Sequence, residues 1–234
     1  MTGNRVLRDI GWEVSHHDDL SIHALSSFGS KILPTLEDSL KRDFLNQIYE
    51  VVRSGFSQPR SEKLYADVQD HVNDHLLAVS SIDGRIVGFA SVAILERLDT
   101  FYLHGIAIHA EFQSKKVGRR TMEALLNRVD VPRVAFTTQN PKMFCFLREQ
   151  VARCFPSPEE QRVPDTEHTY GQALMADRKG VFDPETFVSK NLYSACLYPR
   201  IAPSGDECVN RWFQESLEMR DGQTAHGFLL CGTR

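Results

Sequence analysis

Apolar positions alternate or run together in the middle of the chain, and take helical spacing on either side of it. His75-Leu76-Leu77-Ala78-Val79-Ser80-Ser81-Ile82 is rich in strand-forming residues, and Asp83-Gly84 follows as a two-residue hairpin signal. The predicted partner strand is Arg85 to Leu95, and Thr100 to Ile108 reads as a third. From Val117 the apolar set changes period: Val117, Met122, Leu125, Leu126 and Val129 share one helical face. Pro132 bars that helix from continuing, and Arg133 to Thr138 reads as a buried strand. Asn140-Pro141 opens another helix, with Met143, Phe144, Leu147 and Val151 on one side.

The flanks are less regular. Gly11 to Ser15 suggests a first strand. Asp18-Asp19 followed by Ile22, Leu25 and Phe28 predicts a short helix ending near Gly29. Asp43 to Arg53 is a stronger helical pattern that stops before Gly55, and Ser61 to Val68 is another. Beyond residue 155, Pro156, Pro158 and Pro164 with acidic neighbours predict a loop. Asn191 to Tyr198 is apolar enough to pack, and Glu207 to Met219 reads as a helix closed by Asp221-Gly222. Gly227 to Gly232 is the expected closing strand.

A chain of 234 residues with 41% hydrophobic content can bury a sizeable core. We expect one domain over 1–234, with a core at about 10–155 plus a strand at about 226–232, and 156–224 as an enlarged C-terminal segment. A net charge of −4 gives no general nucleic-acid footprint. No apolar run approaches a membrane span, and Met1 to Arg5 lacks a signal-peptide core, so no membrane or nucleic-acid partner is expected. Cysteines 145, 154, 196, 208 and 231 are scattered and odd in number, which suits reduced thiols in the cytoplasm and no metal site.

The candidate chemistry lies where the third strand runs out. Ile106-Ala107-Ile108 passes through a polar turn into Gln113-Ser114-Lys115-Lys116-Val117-Gly118-Arg119-Arg120. The first amides of a helix lack intrahelical acceptors and carry the positive end of its dipole. Lys115, Lys116, Arg119 and Arg120 add full charges, so the expected guest bears phosphate.

This run resembles the acetyl-CoA signature of the GNAT acetyltransferases, (Gln/Arg)-x-x-Gly-x-(Gly/Ala) after a strand. Gln113 and Gly118 match it, and Lys116 stands where the first glycine usually is. The order of elements between about residues 75 and 155 is also similar to the family's core. The resemblance implies an α/β GNAT acyl-CoA N-acyltransferase fold: a mixed, mostly antiparallel sheet flanked by helices, here with an enlarged C-terminal region. It implies acetyl-CoA as co-substrate, without a metal, and a small-molecule or peptide amine as acceptor, selected by the helices before residue 75. In that picture Gln113, Ser114, Lys115, Lys116, Val117, Gly118 and Arg119 cradle the diphosphate. Backbone groups of Ile106, Ala107 and Ile108 meet the pantetheine arm, with Asn140 and Phe144 beside it. A right-handed backbone at Lys116 would let its ammonium turn outward onto phosphate.

Direct attack by an amine needs a polarised carbonyl, a neutral amine and a proton for the departing thiolate. His104, two residues before Ile106, and Glu96, at the end of the preceding strand, are the candidate bases, with His109 behind them. For each of these, plain packing or solvent exposure is the competing reading. Many family members protonate the thiolate from a tyrosine on the helix after Asn140, but here Phe144 holds that slot. Tyr170, Tyr193, Tyr198 or water would then serve. Cys145 as an acyl carrier lacks a visible His/Asp partner. The alternative function is a catalytically inactive acyl-CoA-binding or interaction protein of the same fold.

Overall fold

The computed structural model describes residues 13–72, 76–160 and 162–234. Gly11 and Trp12 of the expected first strand, and His75 of the expected strand over His75–Ile82, lie outside the described residues. The chain forms two compact units: residues to Ile94 with Phe101–Asp130, and Leu95–Thr100 with Val131–Arg234.

The first unit opens with a hairpin, β1 (Glu13–His17) and β2 (Leu20–Ser26). Here the structure corrects the sequence reading, which placed a helix over residues 18–29. His17 pairs with Leu20, so Asp18-Asp19 is a two-residue loop, and Asp18 takes the positive φ of 52° that such loops require. Leu20, Ile22 and Ala24 are buried in alternation, a period of two where a helix needs 3.6. Phe28–Ile32 then coils briefly into a helical turn.

Helices α1 (Asp38–Gly55) and α2 (Glu62–Val72) follow, each longer than its sequence pattern suggested. Strands β3 (Leu76–Ile82), β4 (Arg85–Leu95) and β5 (Thr100–Ile108) complete the unit's sheet, in which neighbours in sequence are neighbours in space. The β3–β4 turn has positive φ at both Asp83 (50°) and Gly84 (76°), the primed hairpin geometry that Asp-Gly favours. Phe44, Ile48, Val51, Val68 and Val72 of the two helices share a core with Leu77, Val79, Phe89 and Ala107 of the strands.

Helix α3 (Val117–Leu126) buries Val117, Met122, Leu125 and Leu126. One polar link crosses its contact with β3. The Ser80 hydroxyl meets Thr121 Oγ1 at 2.5 Å, while Thr121 donates to the Val117 carbonyl at 2.8 Å. Both hydroxyls are thereby satisfied in a dry environment.

The second unit is built around β10 (Gly227–Thr233), which pairs antiparallel with three strands. These are β6 (Arg133–Thr138), β7 (Arg153–Phe155) and β9 (Val188–Lys190), and β9 in turn pairs with β8 (Val181–Asp183). Its helices are α4 (Pro141–Gln150), α5 (Asp165–Met175) and α6 (Glu207–Ser216). Phe144, Trp212, Phe213 and Phe228 form an aromatic cluster with ring centroids 4.4 to 5.2 Å apart. The stretch around Pro156, Pro158 and Pro164 carries no helix or strand among its described residues, as expected, whereas α5, β8 and β9 beyond it were not placed by the sequence reading. Tyr170, Gly171, Leu174 and Met175 bury one face of α5, and a methyl group on Gly171 would come within 2.5 Å of the Phe187 ring. That close approach, a long-range contact, is what gives α5 its place.

Candidate functional site

Strand β5 ends where helix α1 ends. A methyl group on Gly55 would lie 2.5 Å from the Ile108 carbonyl oxygen, so only glycine lets the helix terminus come so near. Gln113 Nε2 donates to the Gly55 carbonyl at 2.8 Å and to the Ile108 carbonyl at 3.2 Å. The Ala110 amide donates to Ser54 Oγ at 3.2 Å. The turn after β5, a short 3-10 helix over Ala110–Lys115, is therefore fastened to the end of α1. The Gln113 side chain is part of that fastening; its turn, with Ser114, leads on to the start of α3.

Lys116 bridges the 3-10 turn and α3 with φ 59° and ψ 14°. This left-handed backbone corrects the expected right-handed one. Glycine reaches it at little cost, while a side chain adds roughly 1–2 kcal/mol. The lysine thus holds a backbone conformation that a glycine would reach at less cost. It caps α3 with no side-chain hydrogen bond, and the helix's own ladder begins at the Arg120 amide, which donates to the Lys116 carbonyl at 3.0 Å. The amides ahead of it, at Val117 and Gly118, open the helix.

The first turn of α3 sits on β5. A methyl group on Gly118 would meet Ile108 Cγ1 at 3.3 Å and Ile106 Cδ1 at 3.8 Å, so these two side chains lie beneath the turn. Ala107 faces the opposite way, into the core shared with α1 and α2. Val117 is buried.

The cations are not equivalent. Arg119 pairs with Glu123 at 3.2 Å and Arg120 with Asp18 at 3.0 Å. Lys115 Nζ stands 4.7 Å above the Phe112 ring. Lys116 is exposed and joins no ion pair among the described residues. Surface pairs of this kind contribute at most about 1 kcal/mol, so an arriving dianion can recruit either arginine.

His109 is tied into the turn. Its ring nitrogen Nε2 lies 3.1 Å from the Arg85 guanidinium, and its Nδ1 accepts from the Glu111 amide at 3.4 Å, capping the turn. Burial first, and Arg85 second, hold its pKa below the ordinary histidine value. His104 is half-buried on β5, with the Tyr102 ring 5.2 Å away and the His71 ring 6.3 Å away. Glu96 is exposed in a short 3-10 helix, Glu96–Leu98, that falls in the other unit. Among the described residues no hydrogen bond or ion pair joins it to another candidate.

In the second unit, every kind of polar atom on Asn140 is engaged. Its amide donates to Thr138 Oγ1 at 2.9 Å, its carbonyl accepts from the Met143 amide at 3.0 Å, and its Oδ1 accepts from the Lys142 amide at 3.0 Å. Its side chain also bonds the Tyr198 phenol. Asn140 is a helix cap held from both sides. Phe144 is 0% exposed and packs edge-on to Trp212 at 5.1 Å, which places it in the core, away from any ligand-facing surface.

Of the three tyrosines considered as proton donors, Tyr170 is spent internally. Its hydroxyl meets Thr100 Oγ1 at 2.9 Å, the Arg133 guanidinium covers its ring at 4.3 Å, and burial pushes its pKa up. Tyr193 donates to Thr137 Oγ1 at 3.2 Å. Tyr198, on Asn140, also has its pKa raised by burial. The five cysteines are free thiols. Burial pushes Cys154 up to about 12 and Cys231 higher than its ordinary value, so neither is a nucleophile. Among the described residues no three His, Cys, Asp or Glu side chains gather as a metal site.

The sequence reading missed His71. It ended the second helix at Val68, one turn short, so His71 fell off the element that carries it to β5.

Residues 45–140 match the model of the acetyltransferase (GNAT) family. Among solved structures the chain resembles the IAA acetyltransferase from Bacillus cereus ATCC 14579, at 11% identity over 92% of this chain and 99% of that one, with a TM-score of 0.48. It also resembles the ribosomal-protein-S18-alanine N-acetyltransferase from Escherichia coli (13%, 91% and 93%, TM-score 0.42). A third is a GNAT family acetyltransferase from Elizabethkingia anophelis with acetyl-CoA bound (12%, 93% and 100%, TM-score 0.44). No curated protein sequence matches the chain. Residues 45–140 thus carry the GNAT acetyltransferase family pattern, from α1 through β5 and α3 to the start of α4.

Proposed function

We propose that this chain is an acetyl-CoA-dependent N-acetyltransferase that moves an acetyl group to the amine of a small molecule or peptide by direct attack. The observation that carries the reading is the start of α3. It follows β5 through one short 3-10 turn, has no side-chain cap, and lies with Gly118 against Ile106 and Ile108 inside the stretch that matches the family. Its amides and lysines suit a diphosphate, and the resemblance puts the pantetheine arm along the Ile106–Ile108 end of β5. The acceptor nitrogen forms a bond to the thioester carbon, the C–S bond breaks, and coenzyme A leaves as thiolate. In this reading His104 and Glu96 remain the candidate bases from sequence.

Isothermal calorimetry with acetyl-CoA and CoA tests the site, and thiol release against a panel of primary amines tests the reaction. Binding with release supports the proposal. Absence of heat with both coenzyme forms would overturn it.

A second reading is favoured by Phe144, which leaves α4 without a phenol at the slot where many of the family's enzymes carry one. A chain that binds acetyl-CoA and releases no thiol with any amine is an acyl-CoA-binding protein of the same fold.

A further inference from the structure

Residue 105 is a glycine in the middle of β5, and its missing side chain leaves a slot with polar walls. A methyl group there would stand 3.9 Å from His71 Nε2, 4.0 Å from His71 Cε1 and 4.0 Å from Ser91 Oγ. Ser91 is 0% exposed, and its hydroxyl has no hydrogen-bond partner among the described residues. A buried hydroxyl left without a partner costs roughly 1–3 kcal/mol, so one aimed at a gap marks a place for a guest. His71 reaches the slot from the last turn of α2, one of the two helices inserted between β2 and β3. Three elements, α2, β4 and β5, thus converge on a space the size of a methyl group or an amino group.

We propose that this slot receives the acceptor's amino group and that His71 is the catalytic base, with Ser91 as the hydrogen-bond acceptor that orients the nitrogen. The inference rests on the acetyl-transfer reading and adds to it the group that handles the proton. A neutral primary amine enters with one N–H donated to Ser91 Oγ and its lone pair free to attack. As the C–N bond forms and the C–S bond breaks, the nitrogen sheds one proton to the His71 imidazole, which returns it through solvent to the thiolate. Imidazole is the side chain suited to this exchange near neutral pH. A primary amine is the substrate class, since its nitrogen needs no more room than the methyl group that fits there at ordinary contact distance. His104 lies on β5 beside Tyr102 and the two histidine rings are 6.3 Å apart, so each can be replaced without filling the place of the other.

The test uses His71→Gln, Ser91→Ala and Gly105→Ala in the full chain. Alanine fits at 105 at ordinary contact distance, so that variant blocks the slot while keeping the fold. Acetyl-CoA binding by calorimetry is expected within twofold of wild type in all three. With the best primary amine of the panel, His71→Gln is expected to lower kcat about 100-fold at unchanged KM for acetyl-CoA. Gly105→Ala is expected to raise KM for the amine at least tenfold. Wild-type turnover in His71→Gln or Gly105→Ala overturns the inference and leaves the acetyl-transfer reading standing. Loss of acetyl-CoA binding by the wild-type chain overturns that reading instead. Should no amine of the panel react, n-butylamine is titrated while the 15N imidazole resonances of His71 are followed. A shift in wild type that vanishes in Gly105→Ala supports the slot, and no shift in wild type overturns it.

Discussion

The side-chain amide of Gln113 holds the carbonyl oxygen of Gly55 at 2.8 Å, joining the turn after β5 to the last residue of helix α1. One glutamine thereby sets where β5, the turn and α1 meet, because it also reaches the Ile108 carbonyl. Gln113→Ala is expected to cost about 1–2 kcal/mol, the net worth of two such bonds. Urea denaturation measures this, and acetyl-CoA affinity should fall in parallel. Gly55→Ala should cost more, since its methyl would press on the Ile108 oxygen. An unchanged urea midpoint in both variants would show the junction to be slack.

Lys116 holds a left-handed backbone that glycine adopts readily. Lys116→Gly is expected to raise stability by up to about 1 kcal/mol through relief of that strain. It should also weaken acetyl-CoA binding by severalfold, through the lost charge. Lys116→Ala keeps the strain and loses the charge, so thermal melts and calorimetry on the pair separate the two effects. A gain in affinity for Lys116→Gly would mean that the lysine obstructs the site.

Gly118 lies against Ile108, and a side chain longer than methyl lifts the first turn of α3 off β5. Gly118→Leu is expected to reduce acetyl-CoA affinity at least tenfold while far-ultraviolet circular dichroism stays that of wild type. Retained affinity would remove the cradle from this helix start.

Phe144 is fully buried against Trp212. Restoring a tyrosine there is expected to destabilise the chain by about 1–3 kcal/mol, the cost of a buried hydroxyl without a partner, and to leave turnover unimproved. A faster Phe144→Tyr enzyme would place residue 144 on the reaction side after all.

Stability should depend on pH through His23 and His109. Burial is the leading cause that lowers both pKa values from 6.5, with His16 adding to it for His23 and Arg85 for His109. Both are held neutral by the fold, so the unfolded chain binds more protons. Stability is then full above pH 6.5 and is lost as pH falls through the lower folded-state values. Urea midpoints at pH 7.5 and 5.5 should differ in that sense, and His23→Gln should lessen the difference. Equal midpoints would show that neither ring resists protonation.

Much of the first unit can be read from local signals. Asp83-Gly84 announces its hairpin, and the apolar run from Thr100 to Ile108 is the observed β5 to the residue. Asp18-Asp19 was misleading because acidic residues serve helix starts and tight hairpins alike, and only the alternation of Leu20, Ile22 and Ala24 separates the two. Helix α5 owes its position to Gly171 and Phe187, residues whose meeting no local window contains. The helix start at Val117 was legible because its signal is local. His71, Ser91 and Gly105 were not, because they come from three separate elements and share no motif.

The bare start of α3 also sorts ligands by charge. Each other helix start carries its own deterrent: Asp38 in the first turn of α1, Glu62 in α2, the Asn140 cap on α4, Asp165 and Glu167 in α5, and Asp206 with Glu207 on α6. Among the described α-helices, α3 alone has neither an acid in its first turn nor a side chain plugging its amides. On the proposed reading, a phosphorylated molecule diffusing over this surface is turned away at five doors and admitted at one.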